Sequence, residues 1–125
     1  MQDLPPLCNS LKAMGYHISI ETNGTIALPT GIIDWICVSP KDQEYPEVSI
    51  RQREGDELKV VYLGQDMSMY DELKEGFQHH YLQPCYDEDR SVEWNGLNFH
   101  QTFEVVKSNP SWRLSLQTHK WMCVE

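Results

Sequence analysis

Apolar positions recur along the chain with two different periods, and the changes of period mark out its elements. Leu4, Leu7, Leu11 and Met14 fall at helical spacing, with Asp3 as a cap, Pro5 and Pro6 in the first turn and Gly15 as a stop. The chain is therefore predicted to open with an amphipathic helix that turns this stripe inward. His17 to Glu21 alternates at period two, and Ile32 to Val38 is a nearly unbroken apolar run of the sort found in parallel strands covered on both faces. Lys41 to Gly55, with Pro46 and dense charge, reads as an exposed excursion, and Glu57 to Tyr62 is the next predicted strand. Ser68 can cap a helix whose Tyr70, Leu73 and Phe77 face inward, and His80 to Leu82 returns as a short strand. Asp87 to Ser91 reads as a polar loop. Trp94, Leu97, Phe103 and Val106 suggest a long helix ending before Asn109-Pro110, and Trp112 to Leu116 a last strand. Strands separated by helices pair in parallel through crossovers, so the expected class is α/β, as one domain over residues 1–125.

Charge narrows the partners. The 125 residues carry 10 Lys and Arg against 19 Asp and Glu, a formal net charge of −9. Such a chain is a poor match for phosphate backbones or anionic membranes, and a small molecule or a protein is the better expectation. No run reaches the roughly 18 apolar residues of a spanning helix, and Met1 to Gly15 lacks the order of a secretory signal, so a cytoplasmic location is expected. Cys8, Cys37, Cys85 and Cys123 are separated by 29, 48 and 38 residues. Those gaps match neither a close-spaced zinc site nor a ferredoxin-like cluster, and reduced core thiols are expected. His79 and His80, adjacent on a strand, would point to opposite faces and so would not chelate together.

In parallel α/β folds ligands lie beyond the carboxyl ends of the strands. Four of those ends carry polar clusters: Glu21-Thr22-Asn23-Gly24-Thr25, Ser39-Pro40-Lys41, Gln83-Pro84 and Gln117-Thr118-His119-Lys120. Taken singly these read as a tight turn, a solvated loop start, a strand terminator and an ordinary histidine-bearing surface. Together, on one rim, they describe a polar small-molecule site, in which a glycine allows close backbone approach and Lys41 can meet a carboxylate.

Over Ile20 to Thr25, Asp34 to Lys41, Asp56 to Val61, Leu82 to Pro84 and Asn109 to Lys120, in that order, the chain resembles the 7-carboxy-7-deazaguanine synthases, radical S-adenosylmethionine enzymes of the queuosine and deazapurine pathway. The resemblance implies a partial (β/α) barrel of mostly parallel strands. It also implies that Gly24, Ser39, Pro40, Lys41, Gln83 and Pro84 border S-adenosylmethionine, and that Thr22, His119 and the terminal carboxylate at Glu125 face a pterin-like substrate. The apolar tail of Trp121, Met122 and Val124 is expected to be buried rather than frayed. After Gln83-Pro84 the chain has Cys85-Tyr86, where the family commonly has an acidic residue at the second place.

The family's activity, as the resemblance implies it, is a lyase reaction. S-adenosylmethionine is cleaved reductively at a [4Fe-4S] cluster, the resulting radical takes hydrogen from 6-carboxytetrahydropterin, and ring contraction with loss of ammonia gives 7-carboxy-7-deazaguanine, assisted by Mg2+. The family's C-x-x-x-C-x-x-C and Gly-Gly-Glu-Pro elements do not occur in this sequence. The chain is therefore expected to be the carboxyl-terminal part of a radical S-adenosylmethionine barrel, without turnover by itself. Its first strand is expected to present a free edge covered by homodimer formation or strand exchange. The rival readings are a non-catalytic nucleoside- or partner-binding α/β module and a fragment of another organic radical-activating enzyme, over which the Gln117 to Lys120 ending favours the deazaguanine branch.

Overall fold

A computed structural model describes residues 4–122 and Val124. Its centre is a five-stranded sheet in which every pairing is parallel and the spatial order, β1-β2-β3-β4-β5, is the order of the chain. The strands are β1 (Ser19–Thr22), β2 (Trp35–Val38), β3 (Gly55–Tyr62), β4 (Phe77–Pro84) and β5 (Arg113–Leu114). Four helices accompany them: α1 (Leu4–Ala13), α2 (Asp71–Lys74), α3 (Val92–Ser108) and the single turn α4 (Thr118–Trp121), with a 3-10 turn at Met67–Tyr70 ahead of α2. The expected α/β class with parallel pairing is what the structure has.

Period two on β2, β3 and β4 builds the core. Val38, Leu58, Val60 and Leu82 are almost wholly shielded from solvent, and Tyr70, Leu73, Phe77 and Trp112 close over them with Val105 and Val106 of α3. The opposite face is different in kind. Glu21, Cys37, Glu57 and His79 share one register row, and Lys59, Tyr81 and Arg113 share the next, so this side of a parallel sheet is polar rather than apolar.

Several elements differ from their sequence reading for identifiable reasons. In α1 the buried side chain is Cys8, while Leu7 and Met14 are exposed, so only part of the predicted stripe turns inward. Gly15 does end the helix, at φ +85° with its N–H on the carbonyl of Lys12. β1 starts two residues later than predicted and includes Thr22. β2 starts at Trp35 because Asp34, inside the apolar run, is a cap: its carboxylate accepts from Ile18 N at 2.9 Å and from Lys12 Nζ at 2.8 Å. Asp66, not Ser68, caps the turn after β3, accepting from Ser68 N, and Phe77 is buried from β4 rather than from a helix. The returning strand is eight residues long and already contains Gln83 and Pro84.

The largest difference is α3. Leu97 and Phe103 are exposed, and its buried residues are Asn95, Asn98 and Thr102. Asn98 donates to the carbonyl of Tyr62 at 2.9 Å and accepts from Cys85 N at 2.7 Å, while Asn95 pairs twice with the backbone of Asp87. Strand ends leave backbone groups unpaired, and a polar helix face beside them satisfies those groups inside the fold. Lys41 to Gly55 is mostly exposed, as expected, yet it is pinned at its far end: Arg51 N and Gln52 N both donate to the carbonyl of Gly24, and Ile50 packs against the core.

Asp34 carries a pH prediction. The hydrogen bonds from Lys12 and from the Ile18 backbone hold its carboxyl below the ordinary aspartate value. A depressed carboxyl adds stability that is complete above the unfolded pKa and is lost as pH falls through the folded one. Asp34→Asn is therefore expected to be less stable than the parent at neutral pH, with the difference shrinking below about pH 4. Urea midpoints measured between pH 7 and pH 2.5 check this, and a gap that persists at the acid end would contradict it.

Candidate functional site

Parallel pairing sends the carboxyl ends of β1, β2 and β4 to the same edge of the sheet, and the polar segments that follow lie along it. Thr22 closes β1 and its Oγ1 accepts from Gly24 N at 3.2 Å. Asn23 then folds the turn with its own side chain, accepting from Thr25 N and Thr25 Oγ1. Gly24 is buried at φ +78°, where a Cβ would stand 2.8 Å from Val38 Cγ1. Ser39 N donates to the carbonyl of Thr22 at 2.7 Å, tying the second segment to the first, and Ser39 and Pro40 are buried while Lys41 is exposed. Lys41 lines a small cavity of about 90 Å3 with Asn23, Thr25, Asp42, Tyr45 and Val48.

Gln83 and Pro84 are buried at the end of β4. The next residue reports on its surroundings. Burial pushes the Cys85 thiol up, Asp87 and Glu44 add to the rise, and Lys120 and Lys41 oppose it. Lys120, in the segment after β5, stands 5.8 Å over the ring of Tyr86 after β4 and lines a cavity with Asp87, so these two segments meet next to Cys85.

His119 is exposed on α4, which follows β5. Trp121 fixes that turn, with its ring edge-on to Tyr86 at 5.2 Å and to Phe99 at 5.0 Å. Beside it lies a cavity of about 300 Å3 lined by Tyr86, Asp87, Arg90, Asn95 and Lys120. Of the apolar tail only Trp121 is packed, and Met122 and Val124 are exposed. Glu125 and Cys123 lie outside the described residues, as does Asp3. Thr22 and His119 belong to opposite ends of the strand order. Four strand spacings separate β1 from β5, about 19 Å in a flat sheet, so one ligand touches both only where the sheet curls.

Sequence reasoning missed the polar sheet face beneath this rim. Lys59 reaches across β2 to Glu21 at 2.8 Å, Trp35 stacks on His79 at 5.7 Å between ring centroids, and Cys37 Sγ lies 3.5 Å from Glu57 Oε1. Burial first, then the charges of Glu57 and Glu21, pushes the Cys37 thiol up to about 12, so it stays protonated and unreactive. Charged residues in mid-strand were the available signal, since a parallel strand covered on both faces is apolar throughout. Adjacent His79 and His80 do point apart: His79 stacks on Trp35, and His80 turns its ring nitrogens to the carbonyls of Lys74, Phe77 and Ser111.

Among the described residues no three His, Cys, Asp or Glu side chains group to hold a metal ion, and no helix is long and apolar enough to cross a membrane. The donor set fits an organic ligand, with an ammonium, amide and hydroxyl groups and aromatic walls, and does not fit an iron–sulfur cluster.

No family model matches the chain. Curated proteins do. It is 40% identical over 114 residues to a 7-carboxy-7-deazaguanine synthase of Caulobacter vibrioides, covering 90% of this chain and 49% of that protein. The corresponding protein of Bacteroides thetaiotaomicron is 41% identical over 114 residues, covering 91% and 54%, and that of Synechocystis 36% over 125 residues, covering 99% and 57%. The chain spans about half the length of the curated relatives it matches. With these identities along nearly all of its sequence, it belongs to the 7-carboxy-7-deazaguanine synthase family.

Proposed function

We propose that this chain supplies the wall that holds S-adenosylmethionine and a pterin-like substrate in a radical S-adenosylmethionine lyase, and that turnover needs cluster ligands which its own residues do not provide. The meeting of strand-end segments is the observation that supports this reading: Ser39 N is bonded to the Thr22 carbonyl and Lys120 stands 5.8 Å over the Tyr86 ring, in a chain 40% identical to a 7-carboxy-7-deazaguanine synthase. In the proposal Gly24, Ser39, Pro40, Lys41, Gln83 and Pro84 border the cofactor, with Lys41 as the point charge for its carboxylate. Thr22 and His119 face the substrate from opposite sides of a sheet curled into part of a barrel, and Glu125 completes that contact. S-adenosylmethionine, when bound, supplies the radical chemistry. This chain's part is to fix the reacting groups and to keep water out. The free edge of β1, which has β2 on one side and is the outermost strand of the sheet, is where a further strand or a second copy would pair.

Calorimetric titrations of the chain with S-adenosylmethionine and with 6-carboxytetrahydropterin, run separately, test the reading. Both are expected to bind. His119→Ala is expected to weaken the pterin at least tenfold and leave the cofactor unchanged, and no 7-carboxy-7-deazaguanine is expected when reductant is added. Equal losses for both ligands, or product from the chain alone, would count against it.

A further inference from the structure

Tyr70 is one of the most deeply buried aromatic residues, 2% exposed, with its ring edge-on to Trp112 at 6.2 Å in the core. A phenol so placed must satisfy its hydroxyl, and that hydroxyl leaves the core in one direction. It donates to Asp42 Oδ2 at 2.7 Å and accepts from Gln65 Nε2 at 3.3 Å. Gln65 is itself locked to the end of β3, donating to the carbonyl of Val61 and accepting from Leu63 N. Asp42 belongs to the excursion after β2, and Gln43 Nε2 donates to the same carboxylate oxygen at 3.1 Å. A turn starts there, with the carbonyl of Lys41 accepting from Glu44 N and Tyr45 N. Residues 41–55 therefore form a strap tied at both ends: at the far end by the Gly24 carbonyl to Arg51 and Gln52, by Leu28 N to Gln52 and by Arg53 to Glu72, and at the near end by the Tyr70 hydroxyl to Asp42, with Gln43 Nε2 also 3.8 Å from Met69 Sδ. Of the near-end ties, the one from Tyr70 is the short one and comes from the core.

We propose that Tyr70 is a positioning residue for the rim: from inside the core it fixes the near end of the strap through Asp42 and so sets where the Lys41 ammonium stands. This rests on the reading of Lys41 as a cofactor-facing residue, whereas the anchoring of the strap rests on the hydrogen bonds alone. Burial, and after it the Asp42 carboxylate, pushes the Tyr70 phenol above its ordinary value, which keeps the donated proton in place at any physiological pH. A hydroxyl used only for core satisfaction would not need a charged acceptor on an exposed strap, and a charge-assisted bond is the stronger kind.

Tyr70→Phe removes the donor and keeps the ring, and Asp42→Asn removes the charge from the solvent side with little risk to the fold. Amide exchange and calorimetry on the parent, both single variants and the double variant test the proposal. Exchange over residues 41–45 is expected to speed up about tenfold in each variant while the sheet amides are unchanged. S-adenosylmethionine affinity is expected to fall three- to tenfold with pterin affinity kept, and the double variant is expected to be no worse than either single one. Unchanged exchange in both single variants would overturn the proposal, as would a loosened strap with unchanged cofactor affinity in a chain whose parent binds it. A parent that binds no S-adenosylmethionine would overturn the reading of the rim instead, and the exchange data would still judge the anchor.

Discussion

Leu58→Ala is expected to lower the stability of the chain by about 3–4 kcal/mol, seen as a shifted urea midpoint with an unchanged slope. Leu58 sits in the middle of β3, opposite Val38 on one neighbour and His80 on the other, with no exposed surface. Shortening it removes apolar contact and leaves a void, and the strands on each side are held in register by their own hydrogen bonds and cannot close in. Loss of that size is a large fraction of what a small domain has. A shift worth less than about 1 kcal/mol would mean that this face of the sheet is loosely packed.

Gly24→Ala is expected to act on stability and on the site together. At φ +78° a side chain is strained by about 1–2 kcal/mol, and its Cβ would press on Val38 Cγ1 at 2.8 Å and on Ile50 Cγ2 at 3.1 Å, a further 1–2 kcal/mol or so of overpacking. Relief of that contact must displace the Gly24 carbonyl, which receives Arg51 N and Gln52 N, so the strap loosens at its far pin. Expected results are a stability loss of about 2–4 kcal/mol and S-adenosylmethionine affinity reduced at least tenfold, by denaturant titration and calorimetry respectively. Retained cofactor affinity in a folded variant would separate the turn from the binding rim.

β3 was legible because it buries alternate residues, Leu58 and Val60, β2 because its apolar run ends in the buried pair Cys37 and Val38, and the strand-end clusters because polar residues there follow apolar runs. Boundaries were less so. Nothing in the run Ile32 to Val38 says that Asp34 will cap the Ile18 N–H, since that hydrogen bond joins segments sixteen residues apart. The inner face of α3 was misread because an apolar stripe was assumed to be the buried one. Asn95, Asn98 and Thr102 form an equally regular stripe, and the unpaired backbone of Tyr62, Cys85 and Asp87 selects it. The Tyr70 hydroxyl was invisible because its partner depends on which segments end up beside one another, whereas the polar sheet face was signalled by Glu57 and Lys59 in mid-strand.

The agreement between spatial and chain order has a consequence for how the molecule is made. As the polypeptide leaves the ribosome, every new strand finds its partner already at hand and need not wait for a distant segment. The growing sheet thus advances at one margin only, while β1 holds the opposite one. An arrest peptide placed after successive strands would register this as a stepwise rise in pulling force, with the steepest step once β4 has emerged and can seal Leu58 and Val60 against solvent.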